Sequence, residues 1–374
     1  MKVPKFLRAG LAAMTLLAVG GTGCDVTPKA SDLARLNLPP GFSIAIYAEV
    51  PGARSLAWSP TLDAMIVGTR DSDVFAVYDR NHDGRADEVR RIATGLNVPN
   101  GIAIHDGWLY IAEQHRVIRY RPTRTRPNLR APQILFDRLP NRSHHGWRYA
   151  AMGPDGKLYV AVGAPCNICA VSGMEGTIIR MGADGAKPEL FARGVRNSVG
   201  LAFHPASGDL FFTDNGGDRM GDDVPPDELN HAPGPGMDFG YPHFAGGRAV
   251  SPRWRGRTPP PGVTFPAIAF GAHVAALGIH FYRGAMLPGD YLGDALVAQH
   301  GSWNRSIPDG YRVMRIRFDA QARARRAEIF IDGWLAPNGG VMGRPVDLEE
   351  LPDGSLLLSD DYAGVLYRIT YKGG

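Results

Sequence analysis

The stretch Tyr149–Gly163, "YAAMGPDGKLYVAVG", decides how this chain folds. Pro154-Asp155-Gly156 is a tight turn, because proline presets φ and glycine accepts the left-handed conformation. Lys157 to Val162 alternates like a strand, and Tyr149 to Met152 reads as a shorter strand before it. The unit returns as "SLAWSPTLDAMIVGT" (55–69), "GIAIHDGWLYIAE" (101–113) and "GLAFHPASGDLFFTD" (200–214). It returns again as "GIHFYRG" to "GDALVAQHG" (278–301) and "VDLEELPDGSLLLSD" (346–360). Six copies result, the first four about 45 to 50 residues apart, which is the blade period of a β-propeller.

Most copies are followed by a further strand: "DVFAVYD", "RVIRYR", "GTIIRMG", "YRVMRIRFD" and "GVLYRITY", several with an outward arginine. "FSIAIYAEV" (42–50) precedes the first copy and is placed to close the ring by pairing into the last blade. The expectation is an all-β, six-bladed propeller of four-stranded antiparallel blades over 36–374, whose closure removes the long edges of an open sheet. The segment 231–262 reads as a long inserted loop.

The 374 residues are ample for one large core, and the formal charge of +4 shows no basic stripe with interleaved aromatics, so a nucleic-acid partner is not expected. Residues 1–23 read as a targeting segment: Lys2, Lys5 and Arg8 precede an apolar run, Ala9 to Val19, that is too short to span a bilayer. The run ends in "GGTGC", which resembles a bacterial lipoprotein signal cleaved before Cys24. Cys24 would then carry the lipid, 24–35 would be a tether, and the protein would face the periplasm; ordinary secretion is the alternative. In an exported protein the remaining pair, Cys166 and Cys169 in "CNIC", is expected to form a disulfide. Zinc would need a second ligand pair, and haem attachment would need histidine where Ala170 stands.

In a propeller, ligands gather where the loops of one end converge on the central channel. The polar residues there come from different copies: Asn100; His144, His145 and Arg148; Arg196 and Asn197; Asp214 to Arg219; His300, Trp303 and Arg305; and Arg344. Each alone reads as a turn residue or surface charge; their recurrence at equivalent positions points to a cationic, imidazole-bearing mouth suited to an anion. Separately, "DRNHDGRADE" offers Asp79, Asn81, Asp83 and Asp87 in a DxNxDG loop. It reads either as an EF-hand-type calcium loop or as a plain hairpin turn, with Arg90 standing where the bidentate glutamate belongs.

Several of these segments carry a resemblance. "SHHGWRYAAMGPDGKLYVAVGAPCNIC", "GVRNSVGLAFHPASGDLFFTDNGGD", "DELNHAPGPGMDFGYP", "HGSWNRS" and "GRPVDLEELPDGSLLLSDD" together resemble the soluble quinoprotein glucose/sorbosone dehydrogenase family, over roughly 40–370. The resemblance implies a propeller that binds pyrroloquinoline quinone (PQQ) with calcium. It also implies oxidation of an aldose or related polyhydroxy aldehyde, with electrons passed to an external acceptor, a quinone or a small redox protein. His145 then matches the general base, and Arg196 with Asn197 the pair beside the quinone. The backbone carbonyls of Gly216 and Gly217 match the calcium position, and His300, Arg305 and Arg344 fall among the cofactor contacts; Arg148, on the same channel-facing loop as His145, is a candidate cofactor-binding cation. Ala164 stands where the glucose branch has the aspartate that orients its histidine, and Val346 where a second cofactor arginine is expected, so glucose itself is not the expected substrate. A non-catalytic sugar- or protein-binding propeller is the competing reading. A lactonase-like hydrolase ranks behind both, because glycines and arginines stand where its carboxylate/Asn cage would be.

Overall fold

The structure is a computed structural model that describes residues 30–373; the expected targeting segment and Cys24 lie outside the described residues. Blade 1 is Ala53–Ser59, Ala64–Thr69, Val74–Tyr78 and Glu88–Ala93; blade 2 is Gly101–His105, Trp108–Ala112, Val117–Tyr120 and Gln133–Phe136. Blade 3 is Ala150–Met152, Lys157–Val162, Thr177–Gly182 and Glu189–Arg193; blade 4 is Leu201–Phe203, Leu210–Asp214, Pro226–Ala232 and Ile268–Ala272. Blade 5 is Ala276–Phe281, Ala295–Gln299, Arg312–Phe318 and Ala324–Ile331. Blade 6 is Pro345–Glu350, Leu356–Asp360 and Val365–Tyr371, and its fourth, outermost strand is Phe42–Glu49. That strand runs antiparallel to Val365–Tyr371, with Phe42 opposite Tyr371, so the start of the propeller zips onto its end.

The physical origin of the ring is legible in burial. The second strands Ala64–Thr69, Leu210–Asp214, Ala295–Gln299 and Leu356–Asp360 are buried throughout, because neighbouring blades cover both of their faces. The outermost strands Phe42–Glu49 and Glu88–Ala93 alternate between covered and open positions instead. The third-strand arginines depart from the outward placement their pattern suggested. Arg119, Arg180 and Arg315 lie over Trp108, Phe191 and Tyr291, with Arg315 3.4 Å from its ring centroid and only 4% exposed. Flat guanidinium groups stacked on rings fill the seams between strands. Within the inserted segment, Met237–Asp238 adds a short parallel strand to the outer edge of blade 3. The end of the expected tether is docked as well: Leu33 and Leu36 join the apolar core between blades 5 and 6.

The six inner strands touch their neighbours around the channel. Midway along, the channel is closed by Tyr149 of blade 3, whose hydroxyl donates to both carboxylate oxygens of Asp347 in blade 6 at 3.1 and 3.0 Å. Val199, Leu277 and Val346 pack around this crossing. A cavity of about 660 Å³ lies at the end of the channel away from the polar mouth, lined by Tyr149 and the inner strands of the six blades.

Burial raises Asp347 to about 7, from 3.8 for a free aspartate. The folded state therefore holds this proton more tightly than the unfolded chain. Its contribution to stability is complete below pH 3.8 and is lost as pH rises through 7. Asp360, raised to about 6 by burial, acts with the same sign. The thermal midpoint is thus expected to fall by several degrees between pH 6 and pH 8.5, and Asp347→Asn to flatten that slope. A midpoint that rises over the same range would contradict the assignment.

Candidate functional site

The mouth is built from the loops that lead into the inner strands and the loops that follow the second strands. A recurring device fixes them. Asp214, ending the second strand of blade 4, accepts the backbone N–H groups of Arg196 (2.7 Å) and Asn197 (2.5 Å). Asp360 does the same for Arg344 in blade 6 at 2.9 Å, and Glu113 for Asn97 in blade 2 at 2.7 Å. Each buried acid ties the start of its blade's inner strand to the end of the second.

Blade 3 has no acid there. Its second strand runs out through Val162 into Gly163 and Ala164, and His145 comes in against Gly163. A Cβ at position 163 would lie 2.6 Å from the His145 Cβ and 2.7 Å from its carbonyl oxygen, so only glycine admits the histidine. His145 itself has φ +49°, and Arg148 holds that turn from beneath. The Arg148 guanidinium is buried and donates to three carbonyls: His145 at 2.9 Å, Gln114 at 3.1 Å and Pro140 at 2.6 Å. All of its nitrogens are engaged with the backbone, so the structure places Arg148 as a clamp beneath His145, not as a cation facing the channel.

His145 Nδ1 lies 2.9 Å from the Ala164 carbonyl oxygen. A carbonyl only accepts, so Nδ1 carries the hydrogen and Nε2 keeps its lone pair. Burial, and then the positive charge of Arg196, hold the imidazole pKa down to about 2. The ring is neutral and oriented, with its accepting nitrogen free of that bond. The orienting group is a backbone carbonyl at the very position where a side-chain carboxylate was missed. The His144 ring lies 4.1 Å from that of His145, tilted by 50°, and is exposed.

Arg196 is the most tightly held charge at the mouth. Nε and Nη2 donate to the Asn167 carbonyl and side-chain oxygens, each at 2.8 Å; Nη1 donates to Asn215 O at 2.9 Å, and Nη2 also pairs with Asp218 at 2.8 Å. Asn167 sits inside the turn closed by the Cys166–Cys169 disulfide. Opening so short a loop removes at most about 2 kcal/mol of loop entropy. Reduction is therefore expected to spare most of the fold. By releasing Asn167 it should lower kcat/KM about 10- to 100-fold. A Cys166→Ser/Cys169→Ser variant with full activity would show that the turn does not position Arg196.

Asn197 contributes a buried side-chain oxygen with no partner among the described residues. Gly216 approaches the backbone so closely that a Cβ would meet Pro226 O at 2.6 Å. The Gly216 and Gly217 N–H groups are already bound, to Asp227 Oδ1 and Ala245 O. Arg344 donates through Nη2 to Gly301 O, Ser302 O and the Tyr311 hydroxyl, which fixes its stem beside the mouth.

His300 belongs to a network that sequence reasoning missed. Its Nε2 lies 2.7 Å from Asp361 Oδ1. Asp361 Oδ2 accepts from Arg54 at 2.8 Å and from Arg70 at 3.4 Å. Arg54 Nε donates to Asn100 at 2.7 Å, and Asn100 donates to Arg148 O at 3.1 Å. The chain links blades 5, 6, 1, 2 and 3 across most of the mouth. Arg305 is drawn away from it: its guanidinium bonds Asp222 O and Ala272 O, and pairs with Asp223 at 3.5 Å. Val346, 1% exposed in the core, lies in the channel crossing.

The Asp79 loop connects the third and fourth strands of blade 1. Asp79, Asn81, Asp83 and Asp87 spend their side-chain oxygens on the amides of their own turn: Gly84 and Asp83, Asp83, Arg85, and Arg80 with Asn81. Among the described residues no three His, Cys, Asp or Glu side chains are grouped to hold a metal ion.

With this geometry in view, the comparisons with known proteins are specific. The glucose/sorbosone dehydrogenase family model matches residues 110–368. An uncharacterized protein of Borreliella burgdorferi is 32% identical over 363 residues, covering 93% of this chain and 94% of its own. Among solved structures, a Trichoderma reesei carbohydrate-active enzyme of family AA12 superposes with a TM-score of 0.78 at 19% identity, covering 90% of this chain and 98% of that one. The PQQ domain of pyranose dehydrogenase from Coprinopsis cinerea gives 0.73 at 18% identity, covering 90% and 97%. The soluble aldose sugar dehydrogenase of Escherichia coli gives 0.67 at 16%, covering 88% and 100%. These structural likenesses share the fold, and the sequence matches settle the relationship: the chain belongs to the glucose/sorbosone dehydrogenase family, oxidoreductases of the sugar-dehydrogenase type.

Proposed function

We propose that the protein oxidises an aldose or related polyhydroxy aldehyde with PQQ and calcium, and that His145 is the general base. The observation that carries this reading is the hydrogen bond from His145 Nδ1 to Ala164 O, which leaves Nε2 as a neutral, oriented proton acceptor. The mouth fits such a cofactor by its donors Arg196, Arg344 and His300, and the unpartnered Asn197 oxygen is left to accept from a bound group. The carbonyls at the crowded Gly216–Gly217 turn suit a hard cation that takes oxygen ligands. When bound, the quinone supplies the two-electron acceptor for the hydride from the sugar carbon.

The residues of the chain do the rest. His145 Nε2 takes the hydroxyl proton as the C–H bond breaks, so no charged alkoxide forms before hydride departure. Arg196, fixed by Asn167 and Asn215 and paired with Asp218, places a guanidinium near His145, where it would stabilise developing negative charge. Arg344 fits a cofactor carboxylate. Electrons leave to an external quinone or small redox protein, and a lipid on Cys24 would keep the enzyme at the periplasmic face of the envelope.

Incubating the apoprotein with PQQ and calcium is expected to give a bound quinone absorption band that a reactive sugar bleaches. Arg344→Gln is expected to weaken PQQ binding about tenfold or more. No cofactor binding at micromolar PQQ would favour the non-catalytic propeller instead.

A further inference from the structure

The near balance of charge over the whole chain hides a local excess. Residues 114–136 contain Arg116, Arg119, Arg121, Arg124, Arg126 and Arg130 and no aspartate or glutamate. Four of these, Arg119, Arg121, Arg126 and Arg130, wall a cavity of about 670 Å³ on blade 2. None of the four has a carboxylate within ion-pair distance among the described residues, whereas their neighbours Arg116 and Arg124 pair with Glu113 and Asp63.

This hollow is constructed. Arg119 and Arg121 lie over the Trp108 ring, at 4.0 and 5.3 Å from its centroid. Stacking on a rigid indole removes much of the rotamer freedom that makes surface arginines poor binders. Arg119 is fixed further by Gln133 Oε1 at 2.9 Å and Ala183 O at 2.7 Å. The loop that bears Arg126 and Arg130 is pinned by buried Pro122 and Pro127, by Arg126 N–H to Thr123 O at 3.0 Å, and by Leu129 N–H to Ile92 O at 2.8 Å. Guanidinium groups that line one hollow with no paired carboxylate are complementary to oxygens that carry more than one negative charge.

We infer that the hollow of Arg119, Arg121, Arg126 and Arg130 on blade 2 binds a phosphate-bearing ligand, either a soluble phosphorylated molecule or a phospholipid headgroup. Its loop joins the third and fourth strands, so it sits at the end of the propeller away from the His145 mouth. The site is independent of sugar oxidation.

The test uses the purified full chain with two probes: sodium pyrophosphate by titration calorimetry, and sedimentation with phosphatidylcholine vesicles with or without phosphatidylglycerol. Pyrophosphate binding that weakens steeply with salt, and at least tenfold in Arg121→Ala/Arg126→Ala/Arg130→Ala, supports the site. Added sedimentation only with the anionic vesicles, competed by pyrophosphate, identifies the headgroup; pyrophosphate binding without sedimentation identifies a soluble ligand. The triple variant should keep its thermal midpoint and its sugar oxidation, which excludes a folding defect. Failure of both probes to bind, or unchanged binding in the folded triple variant, overturns the inference.

Discussion

Replacing His145 with alanine is expected to lower kcat about 10²- to 10⁴-fold, the usual contribution of a positioned general base, while PQQ binding persists. The histidine is held by Ala164 O and by its own turn, and the Arg148 clamp beneath grips carbonyls rather than the ring. Removing the imidazole therefore leaves the mouth standing. The pH profile gives a second reading. A free imidazole would impose an acid limb near its ordinary pKa of about 6.5, because the protonated ring cannot accept a proton. Burial and Arg196 push His145 far below that value, so kcat/KM should show no acid limb between pH 5 and 8 that is attributable to this group. Gly163→Ala should fail in a related way. Its Cβ would press on the His145 Cβ and carbonyl, displacing the ring and lowering kcat with cofactor affinity largely kept. A His145→Ala variant within tenfold of wild-type kcat would remove His145 from the mechanism.

The second large effect is on stability. Asp361 is expected to be indispensable: Asp361→Ala should lower unfolding free energy by about 3–5 kcal/mol, read from urea midpoints. Asp361 and Arg54 are 8% and 3% exposed, and they pair at 2.8 Å, so losing the carboxylate strands a buried guanidinium. His300 loses its partner in the same step. Burial opposes ionisation, but the hydrogen bond from His300 and the charges of Arg54 and Arg70 outweigh it and hold the Asp361 carboxyl well below the usual range. Its contribution is therefore present above pH 3.8 and fades only as pH falls through the depressed value. Arg54→Met should soften the loss when combined with Asp361→Leu, because an apolar pair leaves no stranded charge. A loss below about 1 kcal/mol in Asp361→Ala would mean that water reaches the site.

The blades were legible because their signals are local. Pro154-Asp155-Gly156 and Pro352-Asp353-Gly354 mark turns, with an inner strand before each and an apolar second strand after it. Ring closure was legible too, since Phe42–Glu49 is a strand with no partner nearby in sequence. The loops at the mouth were legible as places, but the bonds within them were not. His300 meets Asp361 across 61 residues, and Arg54 meets it across 307, which no spacing rule reaches. One signal was available: Glu113, Asp214 and Asp360 close the second strands of alternate blades, and acids at such buried positions need donors. Arg148 was placed by charge and loop, and Arg305 by resemblance, and their partners proved to be backbone carbonyls and a neighbouring loop.

Gly163 has a wider meaning for recognising such enzymes. An acid that orients a catalytic histidine leaves a visible letter in the sequence, whereas a carbonyl leaves none, because every residue supplies one. Here the visible letter is the glycine beside it, which vacates the volume that the histidine needs. Searches that score a histidine by its nearest carboxylate would pass over this chain; searches that look for a missing side chain at the end of one second strand, where sister blades carry an acid, would find it.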